Sequence, residues 1–424
     1  MMAGWVIMTL REAGVTLIDC VHATPAAVEN GYPYIGIPQM KDGRLDFDDA
    51  RKISDADFIK WTVKARPQMH DIVLSRRTNP GVIAPVRDDT SFALGQNLVL
   101  LRASGERVSP GFLRWLASSP LWWDQISKFI NVGAVFDSLR CADVPNFELP
   151  VPPIADQEAI SGLLSALDDK IELNRRMNET LEAQARALFR DWFVDFGPVK
   201  AKMAGGTPYL APDLWSIFPN RFDEEGAPKG WKRSTIGSSF NLTMGQSPPG
   251  DTYNDDGEGL PFFQGRTDFG FRYPENRKYC DAPKRVAEAE DTLVSVRAPV
   301  GDINLAWEKS CVGRGVAALR HKSGSLSFTY YSAAALRSKL EIYQHTGTVF
   351  GAINKKQFEA LETVEPDAAV LKAFDELAGP IDQKVRTNET ECRTLTRTRD
   401  LLLPKLMSGE IRVREAERQI EEAL

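Results

Sequence analysis

The sequence predicts an α+β protein: two β-rich domains of mixed fold, separated by two long helices packed as an antiparallel coiled coil. Three observations predict this. The chain has 424 residues, more than one ordinary domain needs. It repeats itself once, so two similar halves follow one another. Each half begins with short β-branched and aromatic runs broken by Gly, Pro and Asn, and ends in one long stretch of heptad-spaced apolar residues.

The repeat is read residue by residue. Asp71, Ser75, Arg77, Gly81 and Ile83 return as Asp291, Ser295, Arg297, Gly301 and Ile303, each at an offset of 220. Leu94-Gly95-Gln96 through Arg102 matches Val312-Gly313-Arg314 through Arg320, and Gly133-Ala-Val-Phe136 matches Gly347-Thr-Val-Phe350. Upstream, Gly4-Trp5 with Thr9-Leu10 answers Gly230-Trp231 with Thr235-Ile236. The offset shrinks stepwise along the chain, as loop deletions between paired elements require.

The expected organisation is therefore a first domain over 1–150, a long helix in 151–196, a Gly- and Pro-punctuated linker over 197–228, a second domain over 229–365, and a long helix with a tail over 366–424. In the first helix the seam falls at Ile160, Leu164, Leu167, Ile171, Asn174, Asn178, Leu181, Ala185, Leu188 and Trp192. Adding 214 gives the second seam: Phe374, Ala378, Ile381, Val385, Asn388, Cys392, Leu395, Arg399, Leu402 and Leu406. An ordinary core helix of ~10–14 residues does not sustain such a repeat, and a coiled coil does. Asn174 and Asn388 are expected to set register, since a misaligned buried amide loses its partner. Pro366 is expected to begin the second helix and Pro404 to distort its last turns. The helix pair is expected to hold the two domains at a fixed separation.

Composition narrows the function. Apolar residues at 43% and charged residues at 26% describe a folded chain, not a disordered one. The net charge of −6 excludes a uniformly basic nucleic-acid binder but not a local basic face. The helices and linker carry the acidic excess, which leaves room for basic faces at Arg76, Arg77 and Arg87, and at Arg266, Arg272, Arg277, Lys278, Arg297, Lys355 and Lys356. Five dispersed cysteines with no CxxC pair predict reduced thiols in a cytoplasmic protein. No apolar run approaches the ~18 residues of a membrane span, so no membrane partner is expected.

The four histidines lack zinc-hydrolase spacing, and the chain has neither a GxxxxGK[ST] phosphate loop nor a G-x-S-x-G elbow. The Asn-Pro-Pro-aromatic loop expected for amino-methylation of a base is missing too. Pro366-Asp367 with Asp382 and Lys384 has nuclease residue types, but these lie on the predicted seam helix. Catalytic and metal residues are therefore expected to be none.

These features resemble the specificity (S) subunit of type I restriction-modification systems. The resemblance is carried by Leu149-Pro150-Val-Pro152-Pro153, Asp156-Gln157-Glu158, Asp169-Lys170-Ile171-Glu172-Leu173-Asn174, Leu188 through Phe196, Pro228-Lys229-Gly230-Trp231 and the ending Leu402 through Ile411. The second copy departs from it by reading Glu365-Pro366-Asp367 in place of the Pro-Pro and Asp-Gln-Glu motif. The resemblance implies that the two β-rich domains are target-recognition domains reading a bipartite, asymmetric double-stranded DNA site. It implies a non-catalytic adaptor with two methyltransferase (M) subunits and restriction endonuclease/translocase (R) subunits as partners. AdoMet, ATP and Mg would sit on those partners and no cofactor on this chain.

Side chains that can read or clamp DNA are Gln39, Lys41, Arg76, Arg77 and Asn79 in the first domain, and Gln264, Arg266, Arg297, Lys355 and Lys356 in the second. The matching positions of Arg77 and Arg297 favour a shared scaffold or phosphate role over distinct base reading. Trp122-Trp123 and Trp192-Phe193 are expected in the core, with any exposed member available to a methyltransferase. The alternatives are a stand-alone DNA nuclease or methyltransferase with duplicated binding domains, and a coiled-coil scaffold unrelated to DNA.

Overall fold

The computed structural model describes residues 4–133, 137–345 and 351–423. The Gly133–Phe136 and Gly347–Phe350 match used above lies outside them, apart from Gly133. The chain divides into two compact units: residues 1–174 with 390–424, and residues 175–389. Each long helix thus contributes residues to both units, which the linear division by sequence does not capture.

In the first unit, Val6–Thr9 pairs antiparallel with Glu148–Val151 and ties the start of the domain to its end. Between them lies a four-stranded sheet in the order Val15–Asp19, Leu98–Ala103, Ile72–Ser75, Ile83–Pro85. Side chains alternate across a strand, and here both faces are covered. Ile72, Leu74, Val99 and Leu101 pack against Phe112, Leu113, Trp122 and Ile126 of the helices Pro110–Ser118 and Pro120–Phe129. Val73, Leu98 and Leu100 face Ile35, Phe92 and Leu94 on the other side. Tyr32–Ile35 runs parallel to Ala93–Leu94 and antiparallel to Arg51–Ile53 in a smaller sheet.

The second unit repeats this framework. Lys232–Thr235 pairs with Glu362–Glu365, and the four-stranded sheet runs Phe240–Met244, Val316–His321, Thr292–Ser295, Ile303–Leu305. Leu260–Phe263 is parallel to Ser310–Val312, with Phe262 opposite Cys311 as Tyr34 is opposite Ala93. Tyr279–Cys280 pairs with Leu260–Phe263 as Arg51–Ile53 pairs with Tyr32–Ile35, and the copies diverge where the first inserts the helix Asp55–Trp61 and the second adds the strands Tyr253–Asn254 and Val286–Ala287.

The long helices are Ile154–Phe189 and Ala368–Ser408. Within each unit they pack antiparallel. In the first, Asn174 bonds Glu391 and Asp168 bonds Arg399; in the second, Asn178 bonds Asn388. The second helix keeps its heptad spacing, with Phe374, Ala378, Val385, Asn388, Cys392, Leu395, Leu402 and Leu406 buried and Ile381 half-buried. The first keeps it through Ile160, Leu164, Leu167, Ile171 and Asn174. Beyond Asn178 the buried positions become Glu182, Ala185 and Phe189, while Leu181 and Leu188 are half-buried. The two successive steps from Asn174 to Asn178 and from Asn178 to Glu182 are four residues each, because a straight helix of 3.6 residues per turn drifts against a 3.5 repeat.

Two proline expectations change. The second helix begins at Ala368, where Asp367 Oδ1 accepts from the Ala369 N–H at 2.8 Å, so Pro366 precedes the helix instead of opening it. The same helix continues through Pro380 and Pro404 to Ser408. The stretch 197–228 holds two short helices, Gly197–Met203 and Pro212–Ile217, and buries Val199 and Phe218 beside Trp192, Phe193 and Trp231.

Candidate nucleic-acid interface

Two equivalent loops follow the central strands Ile72–Ser75 and Thr292–Ser295. In each, the Gly N–H donates back to the Ser carbonyl at 2.9 Å: Gly81 to Ser75 and Gly301 to Ser295. Both glycines sit at positive φ, +96° and +98°. A Cβ on Gly81 would meet Ile126 Cγ1 at 2.9 Å, and one on Gly301 would meet Leu340 Cβ at 3.1 Å. Only glycine combines that backbone with that approach. The next residue in, Arg76 or Val296, turns inward and pairs its backbone with the far end of the domain, through Leu139 N–H to Arg76 O and Ile353 N–H to Val296 O. The residue after it, Arg77 or Arg297, is exposed, with bridges to Ser138 and Ala352.

Around these loops the scaffold charges are satisfied in duplicate. Arg102 donates to both oxygens of Asp71 at 2.8 and 2.7 Å and to the Arg66 carbonyl. Arg320 donates to Asp291 at 2.6 Å and to the Ala289 carbonyl.

The other sequence candidates are distributed as follows. Gln39 is half-buried and its Oε1 accepts from the Gly36 N–H at 3.0 Å, which holds a short turn. Lys41 is exposed and paired with Asp46, whose carboxylate raises the ammonium above its ordinary value. Arg76 is largely buried, 3.9 Å from Asp19. Asn79 is exposed on the same loop as Arg77. Gln264 is exposed and exchanges hydrogen bonds with Ser247. Arg266 pairs with Asp302 at 2.6 Å, where Arg337 also points. Lys355 and Lys356 are exposed at the start of the helix Lys355–Glu359, shortly beyond Ala352, and Lys355 faces Glu359. The loops thus gather Arg76, Arg77 and Asn79 in one unit, and bring Arg297 near the segment leading to Lys355 in the other. Gln39 and Lys41 lie on a separate turn.

Two further expected basic-face residues, Arg272 and Arg87, are engaged by carboxylates of the long helices. Arg272 is 1% exposed. It lies 3.7 Å over the Tyr330 ring and donates to Glu182 at 3.2 Å and Asp382 at 2.5 Å. Arg87 is bonded to Asp168. Asp168 and Asp382 stand 214 residues apart on the two helices, the offset of the seams, and each anchors its own domain. Asp168 holds Arg87, Arg114 and Arg399; Asp382 holds Arg272, Tyr331 and Ser327. Burial would raise the Asp168 carboxyl, but Arg114, Arg87 and Arg399 together keep it below its ordinary value. Sequence reading missed these anchors. The signal was present in Asp168-Asp-Lys170-Ile171-Glu-Leu-Asn174 and Asp382-Gln-Lys384-Val385-Arg-Thr-Asn388, which repeat one pattern.

Asp19, Cys20 and His22 bring one ligand-type atom each within 4.8 Å of one another. His22 Nε2 lies 2.9 Å from Asp19 Oδ2, and Arg76 and Lys64 also act on that carboxylate. With these cations already beside it, the cluster reads as a compensated polar group. Trp122, Trp192 and Phe193 are core residues, whereas Trp123 is 44% exposed. No helix among the described residues is long and apolar enough to cross a membrane.

Comparison with known proteins places this architecture. Residues 23–183 match the family model of the type I restriction modification DNA specificity domain. The chain is 28% identical over 421 residues to a chain assigned as the MjaX type I restriction enzyme specificity subunit of Methanocaldococcus jannaschii, covering 97% of this chain and 94% of that one. These matches support a specificity subunit of a type I restriction-modification system. The HindI specificity subunit of Haemophilus influenzae is 26% identical over 381 residues, 76% of this chain and 82% of its own. The crystal structure of the type I restriction-modification S subunit from M. genitalium shares the fold, with a TM-score of 0.56 at 16% identity, over 95% of this chain and 96% of that one. The two units duplicate one sheet framework, and the segments between its strands are where the copies differ.

Proposed function

We propose that this specificity subunit reads a bipartite, asymmetric double-stranded DNA target, one half-site per β-rich domain, and is itself non-catalytic. One observation carries the reading: the two domains share a framework strand for strand but present different polar side chains at equivalent points. Arg76 and Asn79 in one loop stand where Val296 and Pro299 stand in the other. A common scaffold with different loop residues is what two different short half-sites require.

On this reading the domains are residues 1–150 and 229–365, and the partners are two methyltransferase subunits and the endonuclease/translocase subunits. Those partners would carry AdoMet, ATP and Mg, and would supply part of the phosphate neutralisation that a chain of net charge −6 does not. The nuclease alternative gains no support from Asp382, whose oxygens are engaged by Arg272, Tyr331 and Ser327.

The test is exchange of residues 229–365 for the corresponding domain of a relative, followed by methylation sequencing of host DNA. One half of the methylated motif should change and the other persist; change in both halves would refute modular reading. Native mass of the co-expressed complex should show two methyltransferase copies per chain, and methylation by the lone chain would refute the adaptor role.

A further inference from the structure

We propose that Arg77 and Arg297 are a matched pair of contacts to the DNA sugar-phosphate backbone, one in each unit, that position the half-sites without reading sequence. The inference rests on the DNA-reading function proposed above and assigns a role within it. It starts from the duplication, which lets each residue be compared with its counterpart in the same chain.

Arginines kept in both copies to build the scaffold are satisfied internally. Arg102 and Arg320 each hold the aspartate that precedes the central strand and a backbone carbonyl. Arg77 and Arg297 are kept at the same position but have no carboxylate within ion-pair distance among the described residues. Both side chains are exposed. Their backbones are fixed: the loop is closed by Gly81 to Ser75 and Gly301 to Ser295, and bridged to Ser138 and Ala352. Each unit therefore presents one exposed guanidinium, with no carboxylate partner among the described residues, from a loop held by these backbone bonds.

An anionic oxygen ligand suits such a group, because the planar fork matches phosphate geometry. A base edge suits it less. The same residue at the same place in both domains would carry the same information to both half-sites, whereas the neighbours Arg76 and Val296, or Asn79 and Pro299, differ. Phosphate contacts fix register and carry no sequence, so they can be shared by two readers of different sequences.

The experiment uses the complex of this chain with its methyltransferase subunits and measures affinity for a random-sequence DNA duplex and for the methylated target over a range of KCl concentrations. R77A and R297A should each reduce the slope of log K against log salt by about 1, and the double variant by about 2. Affinity for random and target duplexes should fall by the same factor, and the methylated motif should stay unchanged. The pair R77K and R297K should restore most of the slope, because lysine keeps the charge. A wild-type slope in R77A/R297A, or an altered methylated motif, would overturn the assignment. A wild-type complex that binds no duplex at all would instead overturn the DNA reading on which it rests.

Discussion

Asn388 donates its Nδ2 hydrogen to Asn178 Oδ1 at 2.8 Å, with both side chains fully buried between the long helices. Asn178 in turn donates to Glu389 Oε1 at 2.8 Å. Because the helices are antiparallel, Asn388 meets Asn178 and not Asn174, its counterpart by repeat, which donates to Glu391. N388L alone strands the Asn178 carbonyl and should destabilise the chain by about 1–3 kcal/mol. N178L/N388L removes donor and acceptor together and should recover much of that loss. A double-mutant cycle on urea unfolding midpoints checks it; additive losses would show that the amides do not act as a pair.

Asp168 gives the helix–domain contact a pH dependence. Its carboxyl is held below the ordinary value by Arg114, Arg87 and Arg399 against the opposing effect of burial. A lowered native pKa means that stability is present above the unfolded value of about 3.9 and lost as pH falls through the native one. The unfolding midpoint should therefore drop below about pH 4. D168N, which leaves three guanidinium groups facing a neutral amide, should cost about 3–5 kcal/mol at pH 7 and show a flatter acid limb.

The repeat made much of the fold legible before any coordinates. Matches such as Asp71/Asp291 and Gly81/Gly301 are loop and strand-end residues whose backbone demands recur, so they mark equivalent elements. The seam was legible because apolar spacing reports packing directly. Its change of phase at Glu182 was not, because a glutamate at a seam position reads as solvent-facing until Arg272 and Tyr330 are placed opposite it. Surface candidates were the least legible. Residue type marks Arg77 and Arg272 as equally able to meet DNA, and only tertiary packing separates the exposed one from the buried one. Gln39 and Lys41 carry the right chemistry but are engaged locally by Gly36 and Asp46.

The cysteines should react in an order set by burial. All five are free thiols. Cys141 is partly exposed, while Cys280 and Cys311 are fully buried. Burial, with the Cys280 thiol beside it, pushes Cys311 up to about 12. The thiolate is the nucleophile, so at pH 8 iodoacetamide should modify Cys141 first and leave Cys280 and Cys311 untouched until the fold opens. Peptide mass spectrometry over time measures this. Modification of Cys311 as fast as Cys141 would contradict the packing of that sheet.

Arg272 offers the sharpest test of how the second domain is fastened to its helices. Its guanidinium stacks on Tyr330 and reaches carboxylates from both helices, Glu182 and Asp382. Removing the cation strips Asp382 of the guanidinium it faces and leaves Glu182, which is 5% exposed, with Arg186 as its remaining one. R272M should therefore destabilise the chain by about 3–5 kcal/mol. R272K should do less harm but still lose stability, since an ammonium neither stacks as a plane nor spans two carboxylates. The triple variant R272M/E182Q/D382N replaces the charges by neutral groups of similar shape, so it should be more stable than R272M alone. Guanidinium chloride unfolding followed by tryptophan fluorescence gives the order. If R272M and the triple variant unfold at the same midpoint, stranded charge is not what the arginine prevents, and its stacking on Tyr330 is the larger contribution.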